Sequence, residues 1–230
     1  MVQIICQEFL MNSKSLLKIF VSIIGFFIFC SVSFAVPVDV DEATDWVNRK
    51  GHKLIETLSN SDIEAKYTIL DEMFNEDIDT EHMARFVIGK YWRTMDSNQQ
   101  QTYIDLFFRY ALSLYKNYPL NFDTQGIDFK ILSVKQDKKF TDVTCSITLP
   151  KEYATETMKS INAKFKLTKK NEKIKIVDLI FAQSSLLSTY RTRFYEMITE
   201  LDEDMDWFLE DFNDMVTSSE KTAQEKAENY

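Results

Sequence analysis

Residues 140–149 alternate without a break. Val143, Cys145, Ile147 and Leu149 take every second position, with Asp142, Thr144, Ser146 and Thr148 between them. A period of two sends these sets to opposite faces of a β-strand. The pattern recurs at 158–168, where Ile161, Ala163, Phe165 and Leu167 alternate with Ser160, Asn162, Lys164 and Lys166. Residues 128–135 and 173–182 are further strand candidates, and Lys138-Lys139 and Lys170-Asn171-Glu172 stand at the turns. About four short strands in succession read as an antiparallel meander, wet on one face and dry on the other. A dry sheet face must be covered, and the flanking segments have to supply the cover.

Those segments are helical in spacing. From Asp41 to about Leu58, Ala43, Trp46, Val47, Leu54, Ile55 and Leu58 form a broad apolar side. Ser61-Asp62-Ile63-Glu64 reads as a capping box opening a second helix through Met73. Asp79 opens a shorter helix containing Met83, Ala84, Phe86, Val87 and Ile88, and Gly89 reads as its C-terminal glycine. Asp96 and Gln99 form a capping pair ahead of an aromatic stripe: Tyr103, Ile104, Phe107, Phe108, Ala111, Leu114, Tyr115 and Tyr118. Pro119 ends that helix. After the strands, Leu187, Tyr190, Phe194, Met197, Ile198 and Leu201 mark another helix, and Met205, Trp207, Phe208, Phe212 and Met215 a final short one. The expected fold class is α+β: a curved antiparallel sheet of about four strands wrapped by helices from both its N- and C-terminal sides.

Residues 1–35 read as a secretory signal peptide. Lys14 and Lys18 form the basic region, Ile19 to Cys30 is almost wholly apolar, and Ser33-Phe34-Ala35 is a small-x-small cleavage signal. Met11 is an alternative start, and an uncleaved N-terminal anchor is the other reading of the segment. Residues 36–216 then form a single domain and 217–230 a polar tail expected to be disordered. Cys6 and Cys30 fall in the leader, so Cys145 is left without a disulfide partner and reads as a small core residue. Export without a disulfide means that packing alone holds the domain. The net charge of −9 argues against nucleic acid as a partner and against lasting adhesion to an anionic bilayer. A monomer is expected.

Catalytic constellations are missing from the pattern. His52 and His82 are the two histidines, and neither is spaced to pair with Cys145 or a serine. His82 beside Glu81 reads as a solvated helix residue. Zinc-type clusters and glycine-rich phosphate loops are absent. The acidic run over 202–214 lacks the loop glycine of a calcium site. Hence no enzyme activity, no cofactor and no metal are expected.

Two ordered blocks carry a family resemblance. The first is Arg85-Phe86-Val87-Ile88-Gly89-Lys90-Tyr91-Trp92-Arg93 with Gln99-Gln100 and the Phe107-Phe108 helix. The second is Val177-Asp178-Leu179, Ser185-Leu186-Leu187 and Tyr190-Arg191-Thr192-Arg193-Phe194. Over roughly residues 45 to 200 the chain resembles the periplasmic phospholipid carriers of the Mla, or toluene-tolerance, type. It departs from them at Asp204-Met205-Asp206-Trp207, where the usual glycine is missing.

The resemblance implies a phospholipid ligand, held by its acyl chains in an apolar cavity near or above ~1,000 Å³. It implies passage of that lipid between an outer-membrane lipoprotein complex and an inner-membrane ABC-type transporter, the machinery of outer-membrane lipid asymmetry. Expected wall residues are Phe86, Tyr91, Trp92, Phe107, Phe108, Leu114, Tyr115, Ile147, Phe165, Phe181, Tyr190 and Phe194. Arg93, Arg191 and Arg193 are expected at the mouth or a partner surface, with surface ion pairs as the competing role. Tyr91 and Trp92 are expected to anchor the helix junction to the sheet, and Asp178 to fix a turn or pair with an arginine. The alternative is a periplasmic protein-interaction module with a filled core and no ligand. A weaker third reading, a small cone-shaped α+β enzyme, would need Asp142 or Asp178 inside the pocket.

Overall fold

The computed structural model describes residues 36–117, 124–149, 154–156, 158–181 and 183–228. The expected leader over 1–35 and Pro119 lie outside these. Helix α1, Val40–Leu58, begins at Asp39, whose carboxylate accepts from the Asp41 N–H at 2.9 Å. Helix α2, Ile63–Asp77, is capped by Asp62, not by the Ser61 of the expected box, because the Asp62 carboxylate takes the Glu64 and Ala65 N–H groups. It also outruns its expected end at Met73. Helix α3, Thr80–Ile88, starts at Asp79 and stops at Gly89, whose φ of 52° belongs to glycine. A 3₁₀ turn over Gly89–Arg93 leads to α4, Ser97–Lys116, where the Asp96–Gln99 capping box forms as the sequence indicates.

The sheet follows as β1 Phe129–Gln136, β2 Thr141–Thr148, β3 Ser160–Lys170, β4 Lys173–Phe181 and a two-residue β5, Ser184–Ser185. The order is β1-β2-β3-β4-β5 and every pairing is antiparallel. The sheet thus has five strands and does not close. Asn171 and Glu172, at φ 50° and 60°, make the tight β3–β4 turn. Register shifts at Leu132 in β1 and Val177 in β4 bend the sheet. Helices α5, Leu186–Glu200, and α6, Met205–Glu228, complete the fold.

Two apolar bodies result. The helical body gathers Tyr103, Phe107, Phe194, Phe208 and Phe212 with the buried faces of α3 and α4. The sheet body sets Val143, Cys145, Leu167 and Ile174 against Val38, Ala43, Trp46 and Val47. Ile176 packs against both. Burial pushes the Cys145 thiol up to about 11, consistent with an inert core residue.

Helix α6 corrects the expectation of a disordered tail from 217. It runs to Glu228 along α4, with Ala223 buried. Arg109 donates to both carboxylate oxygens of Glu220, at 2.9 and 2.7 Å, and Ser113 and Ser219 share a 2.7 Å hydrogen bond. These polar ties between distant segments leave no apolar stripe to read.

Candidate functional site

Cross-strand register puts one set of side chains on the dry face. Phe129, Ile147 and Ile161 form one rung. Ile131, Cys145, Ala163 and Phe181 form the next, and Val134, Val143, Phe165 and Leu179 the third. The face is covered unevenly. Val143, Cys145 and Ala163 are at most 1% exposed, whereas Ile147, Ile161, Phe165 and Leu179 are only half-buried and Phe181 is 41% exposed. A strip of aliphatic and aromatic groups is therefore left partly open along the sheet.

Helix α1 packs on β1 and β2, and α2, α3 and α5 all reach β4. At Gly51 helix α1 comes so close to β1 that a Cβ there would overlap the Phe129 ring. His52 meets the same ring edge-on, with centroids 5.2 Å apart. Ile69, Leu70, Met73 and Phe74 of α2 are half-buried. Phe74 touches the rings of Phe108 and Tyr115 on α4, at 5.9 and 6.1 Å. Tyr115 donates its hydroxyl to Asp71, and Lys116 pairs with the same carboxylate at 2.8 Å. Burial, reinforced by Asp71, pushes the Tyr115 hydroxyl pKa well up.

The residues expected to line a cavity separate into groups. Ile147, Phe165 and Phe181 lie together on the strip. Phe108 and Tyr115 lie in the α2–α4 contact, against Phe74. Phe107 and Phe194 do not belong with them. Phe194 is fully buried, 4.9 Å from Phe212 and 5.8 Å from Phe208, and Phe107 is 6.4 Å from Phe194. The rings of α6 occupy the place where a ligand was expected, so these two residues form a solid core. Leu114, Tyr190 and Trp92 pack against that same core.

Tyr91 and Trp92 anchor helices and not the sheet. Tyr91 packs edge-on against Tyr195 and donates to Glu203 at 2.7 Å, while Trp92 lies under the Arg85 guanidinium. Phe86 is 39% exposed beneath Arg191. Arg191 donates to the Tyr195 hydroxyl at 3.1 Å, Arg193 reaches the Met215 sulfur, and Arg93 is exposed. A side chain at Gly89 would overlap Tyr195 and Arg191, so the glycine also permits this close packing.

The strand acids stand apart from the strip. Asp142 pairs with Lys164 and Lys166 on the opposite face of the sheet. Asp178 accepts from the Ser185 hydroxyl at 2.7 Å and from the Leu179 and Leu187 N–H groups, fixing the turn from β4 into α5. His82 is half-buried against Phe140, not solvated, and burial pushes its pKa down. Among the described residues no group of His, Cys, Asp or Glu could hold a metal ion, and no helix is long and apolar enough to cross a membrane. A cavity of about 370 Å³ lies between α2, α4 and α6, with Tyr67, Arg109, Leu112 and Lys116 in its wall. It is well short of the expected volume, and no described strand residue lines it. Sequence reasoning missed Phe129, Ile161, Leu179 and Phe74 as site residues; for the three strand residues the signal was the register, which places them beside Ile147, Phe165 and Phe181.

The fold is thus a helix-wrapped, unclosed antiparallel sheet with an apolar strip along one face. The family model described as MlaC protein matches residues 50–213, and the chain belongs to that family. Its fold is similar to that of a phospholipid-binding protein from Ralstonia solanacearum, solved in complex with a phospholipid. The TM-score is 0.61 at 14% identity, covering 78% of this chain and 99% of the other. No curated protein sequence matches the chain.

Proposed function

We propose that the protein is a periplasmic phospholipid carrier that holds the acyl chains of its cargo along the sheet strip. The partly open strip formed by Ile147, Ile161, Phe165, Leu179 and Phe181 carries this reading. Exposing an acyl chain to water costs on the order of 0.8 kcal/mol per methylene, so a two-chain lipid does not cross an aqueous space unaided. A protein face as apolar as the bilayer interior removes most of that cost at both ends of the journey. Family membership and the phospholipid held by the Ralstonia protein support the same ligand class. The donor and acceptor are then an outer-membrane lipoprotein complex and an inner-membrane ABC-type transporter, with Arg93 and Arg193 available on the surface to meet them. The carrier makes and breaks no bond.

Native mass spectrometry of protein gently purified from the periplasm tests the reading. Co-purifying phospholipid, lost from a Phe165→Asp variant that remains folded, is the expected result. The filled ring core around Phe194 favours a second reading, a ligand-free interaction module. A bare polypeptide mass, unchanged after incubation with liposomes, would decide for it.

A further inference from the structure

We infer that the outward face of helix α6, centred on Trp207, docks on a basic face of a partner protein. Trp207 is 65% exposed, more than any other large apolar side chain among the described residues. Its helix neighbours Met205, Phe208, Leu209, Phe212 and Val216 are all buried. At about 3.6 residues per turn those five share one side of α6, and Trp207 stands on the other. A single exposed apolar residue is ordinary; the surroundings set this one apart. Residues three, four and seven positions further along a helix share its face, and here they are Glu210, Asp211 and Asp214, all exposed. Residues 202–216 hold seven carboxylates and no lysine or arginine. Several of these acids serve the fold. Glu203 pairs with Lys90 at 3.2 Å, Asp206 accepts from Gln99 at 2.6 Å, and Asp204 accepts from the Asp206 and Trp207 N–H groups. Among the described residues no ion pair holds Glu210, Asp211 or Asp214.

The other two tryptophans show what completes such an arrangement. Lys50 lies 5.8 Å from the Trp46 ring centroid and pairs with Asp77 at 2.8 Å. The Arg85 guanidinium lies 4.6 Å from the Trp92 ring centroid and pairs with Glu81 at 3.2 Å. Each is an indole, a cation and a carboxylate in one contact. Trp207 has the indole and the carboxylates, and among the described residues no cation lies over its ring. A partner's arginine or lysine supplies the missing member: a guanidinium lies flat on an indole while its N–H groups reach a carboxylate. Tryptophan and arginine are also the residues that most often anchor protein interfaces. The carboxylates repel an anionic bilayer and nucleic acid. Helix α6 packs on α4 and α5, and the strip belongs to the sheet, so the inference stands apart from the carrier reading.

The test places a photo-crosslinker in the full chain, Trp207→p-benzoylphenylalanine, and irradiates the cells that make it. The expected product is one protein adduct whose linked segment carries lysine or arginine. Adding Asp211→Asn and Asp214→Asn should lower its yield about three- to tenfold, the scale of two partly exposed ion pairs. The same charge change elsewhere, Glu64→Gln with Glu72→Gln, should leave the yield unchanged. An adduct only with lipid or with a second copy of the chain overturns the inference. So does an adduct on a segment without basic residues, the absence of any adduct, or an equal loss in both pairs of variants.

Purified protein supplies a second readout. The linked segment, made as a peptide, should shield Trp207 from acrylamide quenching, read as the difference between the wild type and Trp207→Phe. Added salt should weaken that shielding. Quenching unchanged by the peptide overturns docking on this face. Trp207→Ser should keep the wild-type denaturant midpoint; a lower midpoint would give the ring a place in the packing of α6 and overturn the docking role. Bound lipid is read in none of these measurements, so their failure leaves the carrier reading standing.

Discussion

The Tyr103 hydroxyl donates to the Ala84 carbonyl oxygen at 3.0 Å, and neither residue has measurable exposure to solvent. Burial pushes the phenol pKa well up, so it remains a donor across the accessible pH range. The bond ties α4 to α3 at the centre of the ring cluster. Tyr103→Phe should lower the unfolding free energy by about 1 kcal/mol, the net worth of one hydrogen bond, and leave lipid content unchanged. Urea denaturation and the mass spectrum of the purified variant check both halves.

Phe107 and Phe165 should respond in opposite ways. Phe107 is enclosed by Tyr103 and Phe194, so Phe107→Ala should cost about 3–5 kcal/mol, and an aspartate there should abolish folding. Phe165 is half-buried, so Phe165→Asp should leave a cooperative unfolding transition and remove bound phospholipid. Thermal melts beside lipid extraction separate the two effects. A folded Phe107→Asp protein lacking lipid would return that ring to the binding site.

Gly51 sits within α1, where alanine ordinarily gains about 0.5–1 kcal/mol. Here the added methyl overlaps the Phe129 ring. Overpacking of that kind costs about 1–3 kcal/mol, so the clash wins and Gly51→Ala should be destabilising. Adding Phe129→Val should remove the clash and recover most of the loss. A double-mutant cycle measured by denaturant midpoint gives the coupling.

His82 gives stability a dependence on pH. Burial holds the imidazole pKa below its ordinary value, with the Asp79 carboxylate opposing it. The unfolded chain therefore binds a proton below about pH 6.5 where the folded protein still resists it. Stability from this residue is complete above about pH 6.5 and is lost as pH falls through the depressed folded value. The stability difference between the wild type and His82→Gln should shrink across that window and stay flat above about pH 7.5. Chemical denaturation at a series of pH values measures it.

Local chemistry made much of this fold legible. Asp79, Asp96 and Gln99 announce their helix starts because a cap needs only neighbours in sequence. The alternation through Val143 and Cys145 fixes which face is dry, and pairing then aligns Phe165 and Leu179 with it. What the spacing could not tell was the destination of an apolar face. The stripe through Phe107 must be buried, but its partner is Phe194 of α5, inside a core that Phe208 and Phe212 of α6 complete. The same limit hid the end of α6, because Ser219 and Glu220 find Ser113 and Arg109 more than a hundred residues away. The bulge at Leu132 has no local signature at all.

Ile176 packs against both apolar bodies and is the β4 residue that bridges to Ile78. A substitution at this position therefore reaches both bodies at once. A residue bulkier or smaller than isoleucine there would press on, or draw away from, the packing of each in a single change.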